Sequence, residues 1–161
     1  MTTGGTIDKI YFDAKSSFEV GSPQIGDLLR DANLTIDYQM TPLLRKDSLE
    51  LDDADRKLIE TAVVESAAKQ IVITHGTDTM IKTARFLRGI DGKTVVLTGS
   101  MQPARFRLTD AIYNIASAMT AVQLLPVGVW IVMNGHFFDP EKTRKNIDLN
   151  RFEIIRDVCN Q

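Results

Sequence analysis

The sequence predicts an α/β fold in which a mostly parallel sheet lies between two layers of helices. Strand-like apolar runs alternate along the chain with amphipathic helical runs, which is the pattern of a parallel sheet connected by helices. At 161 residues the chain is long enough for one domain with its own core. We therefore expect residues 1–161 to form a single three-layer α/β/α domain, without a second domain.

The strand predictions rest on two kinds of pattern. Leu34, Ile36, Tyr38 and Met40 alternate with polar residues, which predicts a half-buried strand over 34–41. Short continuous apolar runs predict fully buried strands at 71–74, 94–98 and 127–133.

The helix predictions rest on apolar spacing and on end signals. Asp52, followed three residues later by Asp55, is typical of a helix start, and Ile59 and Val63 then share one face, so we predict a helix over 53–69. The same reasoning predicts further helices at 23–32, 78–88 and 108–125.

Composition excludes several classes of protein. A net charge of −2 offers no electrostatic footprint for nucleic acid. Apolar runs all fall short of the ~18 residues that span a membrane. Met1 is followed by Thr-Thr-Gly-Gly rather than by a secretory leader, and one cysteine, Cys159, cannot form an internal disulfide. We expect a cytoplasmic protein that binds neither nucleic acid nor membrane.

Polar, glycine-containing segments follow four of the predicted strands, at 2–6, 74–79, 98–103 and 133–136. In open parallel sheets, ligands bind beyond the carboxyl ends of the strands. Glycine allows close backbone approach, and the accompanying hydroxyl groups can bind or attack a ligand. We therefore expect these segments to converge on one site.

Common signatures of other sites are absent. The sequence contains neither a Gly-x-Gly-x-x-Gly nor a P-loop motif, and Gln102 stands where a Gly-x-Ser-x-Gly elbow around Ser100 requires glycine. His75 with Asp78, and His136 with Asp139, would each offer a metal only two ligands. We expect no metal site, and we expect both histidines to be hydrogen-bonded structural residues.

The segment from about residue 8 to 22 is predicted to be a long polar loop around Tyr11, Phe12 and Phe18. Such a loop in a compact domain is usually functional or disordered. A lid over the site and a plain surface loop are both open interpretations.

These segments resemble a known family. Thr-Gly-Gly-Thr-Ile at 3–7 and Thr-His-Gly-Thr-Asp-Thr-Met at 74–80 are similar to the two signature segments of bacterial-type L-asparaginases, the asparaginase/glutaminase family. The segment 98–103 resembles the third loop of that family, and the match runs from about residue 2 to 152. The resemblance implies a sheet between helices and hydrolysis of L-asparagine to L-aspartate and ammonia, without a cofactor.

The resemblance also implies catalytic roles. Thr6 matches the nucleophilic threonine, and Thr77 and Asp78 match a second threonine and its carboxylate, which a lysine completes. A threonine hydroxyl is a weak nucleophile and needs such partners. We expect Lys145 to be this lysine, with Lys142 and Arg144 as alternatives.

Substrate contacts follow from the same resemblance. Ser48, with Asp47 beside it, falls where family members bind the substrate α-carboxylate, and Ser100 falls where the third loop faces the scissile amide. Backbone N–H groups around Gly76 would bind the oxyanion.

The chain departs from the family at several positions. The family places a tyrosine in its mobile loop, but the matching residue here is Phe18, so we expect Tyr11 to supply the hydroxyl. Leu49 replaces a polar residue. We expect the C-terminal domain of longer relatives to be missing, which would imply weaker binding of the substrate amino group. A natural short enzyme and a fragment of a longer one are both open. The resemblance further implies a homodimer or homotetramer.

Two other functions compete with asparagine hydrolysis. An amidotransferase subunit would pass ammonia from a related site to a partner. A binding module would keep the asparagine or aspartate pocket without turnover. Ammonia release separates the hydrolase from the binding module.

Overall fold

The computed structural model describes residues 1–12 and 17–155. The strands in this part of the chain are β1 (Thr2–Gly4), β2 (Lys9–Phe12), β3 (Ser17–Val20), β4 (Pro42–Lys46), β5 (Gln70–Thr74), β6 (Thr94–Thr98), β7 (Gly128–Met133), β8 (His136–Phe138), β9 (Thr143–Asn146) and β10 (Arg151–Ile154). The helices are α1 (Ile25–Asp31), α2 (Asp53–Glu65), α3 (Met80–Phe86) and α4 (Ala111–Leu124).

The central sheet has six strands in the order β4-β1-β5-β6-β7-β8. Its first five strands run parallel, and β8 pairs with β7 in the antiparallel direction at one edge. Outside this sheet, β2 pairs with β3 and β9 pairs with β10, each as an antiparallel hairpin. The prediction of an α/β fold with a mostly parallel sheet is confirmed.

Helices cover both faces of the sheet because alternate residues of each strand point to opposite sides. On one face Ile73 and Leu97 pack with residues of α2 and α3, including Ile59 and Met80. On the other face the neighbouring strand residues Val96 and Val132 pack against Ala118 and Val122 of α4. This division produces the predicted three layers.

The predicted helix start at Asp52 is confirmed. The Asp52 carboxylate accepts a hydrogen bond from the Asp55 N–H at 2.9 Å, and the Asp55 carboxylate accepts one from the Asp52 N–H at 3.1 Å. Two backbone donors of the first turn are therefore satisfied reciprocally. The helix ends at Glu65, before the predicted end at residue 69, because Ser66 adopts extended backbone angles.

The strand predicted over 34–41 is wrong: the strand at this edge is β4, which begins at Pro42. The Thr2 N–H of β1 donates to the Thr41 carbonyl, so β1 provides no backbone partner further upstream. Residues 36–41 instead line a cleft of about 210 Å³ with Gln70–Val72. An alternating apolar pattern gives a strand only where a neighbouring strand can pair with it.

The long loop predicted over residues 8–22 is wrong for most of its described residues, which form the hairpin β2–β3. Ile10, Tyr11, Phe12 and Phe18 favour strands, and this preference exceeded the effect of the polar residues around them. Residues 13–16, and Cys159 in the tail, lie outside the described residues. None of the helices in the described ranges is long and apolar enough to cross a membrane.

Candidate active site

Contact between two glycines brings the ends of β1 and β5 together. Gly4 and Gly5 have φ of 95° and 89°, which favours glycine. A Cβ added to Gly5 would lie 2.4 Å from both Cα and N of Gly76, so only a hydrogen at this position permits the approach. As a result, Thr6 and Thr77, the next residue of each segment, follow two backbones that touch.

Thr6 begins a short 3-10 helix, Thr6–Asp8, at the carboxyl end of β1. The Gly5 N–H donates to the Lys46 carbonyl at 3.0 Å, and the Asp8 N–H donates to the Gly5 carbonyl at 3.1 Å. The turn that carries the predicted nucleophile is therefore fixed to β4 on one side and packed against Gly76 on the other.

Lys145 joins the second predicted threonine to its carboxylate. The Lys145 ammonium donates to Thr77 Oγ1 at 2.8 Å and to Asp78 Oδ1 at 2.7 Å. Thr77 is buried, and the Lys145 side chain is 15% exposed, so the pair is largely shielded from solvent. A lysine that contacts both a hydroxyl and a carboxylate is placed to take part in proton transfer at that hydroxyl.

The two alternatives to Lys145 point elsewhere. Arg144 pairs with Glu153 at 3.1 Å, since neighbouring residues of β9 project to opposite sides. Lys142 is exposed at the end of the 3-10 turn Pro140–Lys142, before β9 begins. Of the three cations, Lys145 is the one whose hydrogen bonds reach Thr77 and Asp78 within the described ranges.

Ser48 lies against the same glycine that Gly5 contacts. A Cβ added to Gly76 would lie 2.5 Å from Ser48 Oγ, and the Thr79 hydroxyl donates to the Ser48 carbonyl at 2.7 Å. Ser48 is 1% exposed, yet its hydroxyl has no hydrogen-bond partner among the described residues. A buried polar group without a partner costs free energy unless a ligand satisfies it.

Asp47 serves the turn that presents Ser48. Its carboxylate accepts a hydrogen bond from the Leu49 N–H at 3.1 Å and pairs with Lys9 of β2 at 2.7 Å. Burial raises the pKa of Asp47, but the hydrogen bonds from Lys9 and Leu49 outweigh it and hold the pKa below its usual value. Leu49 itself is exposed.

The third predicted loop follows β6 and is held by side chains whose role the motifs do not indicate. Ser100 is buried, and its hydroxyl donates to the Gln102 carbonyl at 2.5 Å. The Asp110 carboxylate accepts hydrogen bonds from the Met101 and Gln102 N–H groups.

A buried amide completes this support. Asn114 Nδ2 donates to the Gly99 carbonyl at 3.0 Å and to Asp110, while its Oδ1 accepts from the Asn134 N–H at 3.1 Å. Asp110 and Asn114 are four residues apart at the start of the otherwise apolar helix α4, which is the sequence signal that could have identified them.

Tyr11 lies directly opposite Phe18 in the hairpin β2–β3. Their rings meet edge to face with centroids 5.4 Å apart, and both side chains are about half exposed. Residues paired across antiparallel strands project from the same face. Tyr11 therefore shares a face with the position that matches the family tyrosine, and its role stays a prediction.

His75 is a buried structural residue, as expected. Its Nδ1–H donates to the Gly76 carbonyl at 2.7 Å, which fixes the tautomer because a carbonyl can only accept. Burial, helped by the charge of Arg56, lowers the pKa of His75 to about 4. His136 lies exposed in β8, 5.8 Å from the ring of Phe138. Residues 1–12 and 17–155 contain no group of three or more His, Cys, Asp or Glu side chains that could hold a metal.

Five parallel strands ending at one edge, with hydroxyls, a lysine and a carboxylate beyond them, define an α/β protein with a polar site at the carboxyl edge of its sheet. Residues 1–156 match the family described as Asparaginase, N-terminal. The chain belongs to this asparaginase family.

Individual relatives agree with this assignment. The chain is 31% identical to a glutaminase-asparaginase of Acinetobacter glutaminasificans, over 96% of this chain and 51% of that protein. It is 40% identical to a component of the glutamyl-tRNA(Gln) amidotransferase of Methanococcus vannielii, over 47% of this chain and 18% of that protein. A probable cytoplasmic L-asparaginase from Campylobacter jejuni superimposes with a TM-score of 0.80 at 26% identity, covering 95% of this chain and 51% of that one. The chain thus spans about half the length of the Acinetobacter and Campylobacter proteins.

His75 is expected to remain neutral throughout the physiological range. Because its pKa is lowered from 6.5 to about 4, the folded protein binds no proton at His75 where the unfolded chain does. Its contribution to stability is present above pH 6.5 and is lost as the pH falls toward 4. In NMR spectra we expect the His75 ring signals to stay unchanged between about pH 8 and 5. The same residue in urea-unfolded protein serves as the control, and a folded-state midpoint near 6.5 would contradict the burial argument.

Proposed function

We propose that this chain hydrolyses the side-chain amide of L-asparagine to L-aspartate and ammonia, without a cofactor. The observation that carries the proposal is the bridge from Lys145 to both Thr77 and Asp78, next to the contact between Gly5 and Gly76. This bridge joins residues 68 and 67 positions apart in the sequence. A lysine in contact with a hydroxyl and a carboxylate can take part in the proton transfer that a threonine nucleophile requires.

In this proposal Thr6 Oγ1 attacks the side-chain carbonyl carbon of asparagine. A neighbouring base takes up the hydroxyl proton of Thr6, and this proton is then delivered to the amide nitrogen of the tetrahedral intermediate before the C–N bond breaks. Ammonia leaves and an ester of Thr6 remains. Water then attacks the same carbon, one of its protons passes to the Thr6 oxygen as the C–O bond to Thr6 breaks, and aspartate is released. Thr77, which accepts a hydrogen bond from Lys145, is the group through which these protons move, and Asp78 binds the same ammonium.

The substrate would be oriented by groups that lie around Gly76. Ser48 Oγ has no internal partner among the described residues, so it can donate to the substrate α-carboxylate. The backbone N–H groups around Gly76 are the donors proposed for the oxyanion. Ser100 donates its proton to Gln102, so its oxygen is left to accept from the amide N–H of the substrate. Asp47 acts on the substrate indirectly in this proposal, because its carboxylate supports the turn that presents Ser48.

Replacing Thr6 tests the function directly. For Thr6→Ala we expect ammonia release from L-asparagine to fall roughly 10³-fold or more, because the attacking oxygen is gone. We expect aspartate to bind within about threefold of wild type, since a side-chain truncation at the reacting atom removes little uniform binding. Ammonia assay and calorimetric titration with aspartate measure the two effects.

The outcomes separate the competing functions. A wild-type protein that binds aspartate but frees no more ammonia than Thr6→Ala is a binding module. A wild-type protein that frees ammonia only with an added partner fits the amidotransferase function, which the Methanococcus relative supports over 47% of this chain.

A Tyr11→Phe variant tests the tyrosine hydroxyl of the hairpin β2–β3. Full activity in this variant would exclude Tyr11 from the mechanism.

Lys145 has a matched control next to it in β9. For Lys145→Met we expect kcat to fall by about 10² to 10⁴, the usual contribution of a positioned acid or base. For Arg144→Met we expect kcat within about twofold of wild type, because its exposed pairing with Glu153 contributes little. Melting temperatures of both variants control for unfolding. A larger loss in Arg144→Met, or in Lys142→Met, would assign the catalytic cation to that residue.

We further propose a cytoplasmic homodimer or homotetramer. Leu108, Ile112 and Tyr113, near the start of α4, are between 59% and 88% exposed, an apolar area suited to burial against a second copy. The Campylobacter structure is described as probably cytoplasmic. Sedimentation and cell fractionation measure these properties. A monomer at micromolar concentration, or recovery in the membrane or secreted fraction, would contradict them.

A further inference from the structure

Asp8 is a buried carboxylate that the proposed mechanism does not use. It lies two residues beyond Thr6, at the end of the same 3-10 turn, and is 1% exposed. Its Oδ1 accepts a hydrogen bond from the Gln24 N–H at 2.8 Å, while Oδ2 has no partner among the described residues. The carboxylate is therefore only half satisfied.

Asp8 connects three parts of the structure through its hydrogen bonds. Its backbone carbonyl accepts a hydrogen bond from the Gly21 N–H at 2.7 Å, which closes the base of the hairpin β2–β3. Its backbone N–H closes the turn that starts at Thr6. Its side chain reaches Gln24, the residue that precedes helix α1. One residue thus ties the nucleophile turn to both the hairpin and α1.

Gln24 extends these connections to the third loop. Its side-chain oxygen accepts a hydrogen bond from Arg105 Nε at 2.8 Å. The neighbouring Ala104 N–H donates to the Ile7 carbonyl at 3.0 Å. Two hydrogen bonds therefore hold the segment after Ser100–Pro103. One reaches the turn of Thr6 directly, and the other reaches it through Gln24 and Asp8.

We propose that Asp8 is a positioning residue whose anionic carboxylate fixes the Thr6 turn, the base of the hairpin β2–β3 and the segment after Ser100 relative to one another. The inference rests on the proposed asparagine hydrolysis for its effect on rate. Its structural part concerns the hairpin alone and can be measured without turnover.

The energetic cost of Asp8 supports a functional role. Burial raises the pKa of Asp8 to about 6, while the Gln24 hydrogen bond and the Arg45 charge from β4 oppose the rise. Lys9 of β2, the other cation at this hairpin base, pairs with Asp47. Between pH 3.8 and 6 the folded protein holds a proton at Asp8 that the unfolded chain has lost, so this group makes the fold less stable as the pH rises to neutrality. A group that costs stability beside the reacting residue is typical of a functional constraint.

The test compares Asp8→Asn with Asp27→Asn. Asparagine keeps the acceptor for Gln24 but removes the charge, which weakens that hydrogen bond. At about pH 7.5 we expect Asp8→Asn to melt about 2 °C or more above wild type, because the buried charge is gone. We expect its kcat to fall roughly 10-fold with KM within about twofold, since misplaced reacting groups lose rate rather than binding. Asp27, 63% exposed in α1 and paired with Arg30, should leave all three values unchanged.

Two further readouts identify the cause. The gain in melting temperature should shrink as the pH falls below 6 and disappear only below about 3.8, where Asp8 is protonated in both the folded and the unfolded protein. Amide hydrogen exchange in residues 17–24 should be about fivefold faster in Asp8→Asn than in wild type at about pH 7.5. This exchange readout decides the inference even if wild type releases no ammonia, which would contradict only the proposed function. Unchanged exchange, or unchanged kcat in an active protein, would overturn the positioning role.

Discussion

The site depends on one close backbone contact, between Gly5 and Gly76. The segments that follow β1 and β5 both lack a Cβ at the point where they meet, and a methyl group at Gly5 would come within 2.4 Å of Gly76. The hydroxyl-bearing residues that follow, Thr6 and Thr77, take their positions from this contact. Ser48 adds a third group to the same glycine from the β4 side.

Sequence reasoning succeeded where the information was local or repeated in the sheet. The run 94–98 was predictable as a strand because both faces of this strand are buried, which gives a continuous apolar run rather than an alternating one. The capping residues Asp52 and Asp55 act within one turn, and their geometry follows from their spacing. Among the site residues, the choice of Lys145 agrees with its contacts to Thr77 and Asp78, and its role stays a prediction.

Sequence reasoning failed where the outcome depended on a distant partner. The alternation over 34–41 is real, but a strand also needs backbone groups opposite it, and β1 first meets this edge at Thr41. The polar residues around Tyr11 predict a loop. The structure has a hairpin there, because pairing of Lys9–Phe12 with Ser17–Val20 satisfies the backbone hydrogen bonds of the segment. Asp110 and Asn114 were missed because a carboxylate and an amide on a helix usually face solvent, and only the fold shows that they support the third loop.

Lys145, the candidate catalytic lysine, is positioned by hydrogen bonds that link its hairpin to the third loop. Lys145 lies on the hairpin β9–β10, outside the central sheet, opposite the buried ring of Phe152. The Phe152 N–H donates to Asn134 Oδ1 at 3.0 Å, and the Asn134 N–H donates in turn to Asn114. The same Asn114 holds Gly99, which precedes Ser100.

Two kinds of constraint therefore meet in this site. Backbone packing between glycines positions Thr6, Thr77 and Ser48, and no rotamer change can relax it. A chain of amide hydrogen bonds through Asn114 and Asn134 positions Lys145 and the third loop, and each of these bonds contributes only about 1 kcal/mol in a folded protein. The side with Thr6 is thus held by backbone packing, whereas the side with Lys145 and the hairpin joined to Asp8 are held by individual hydrogen bonds, so we expect local opening to begin there.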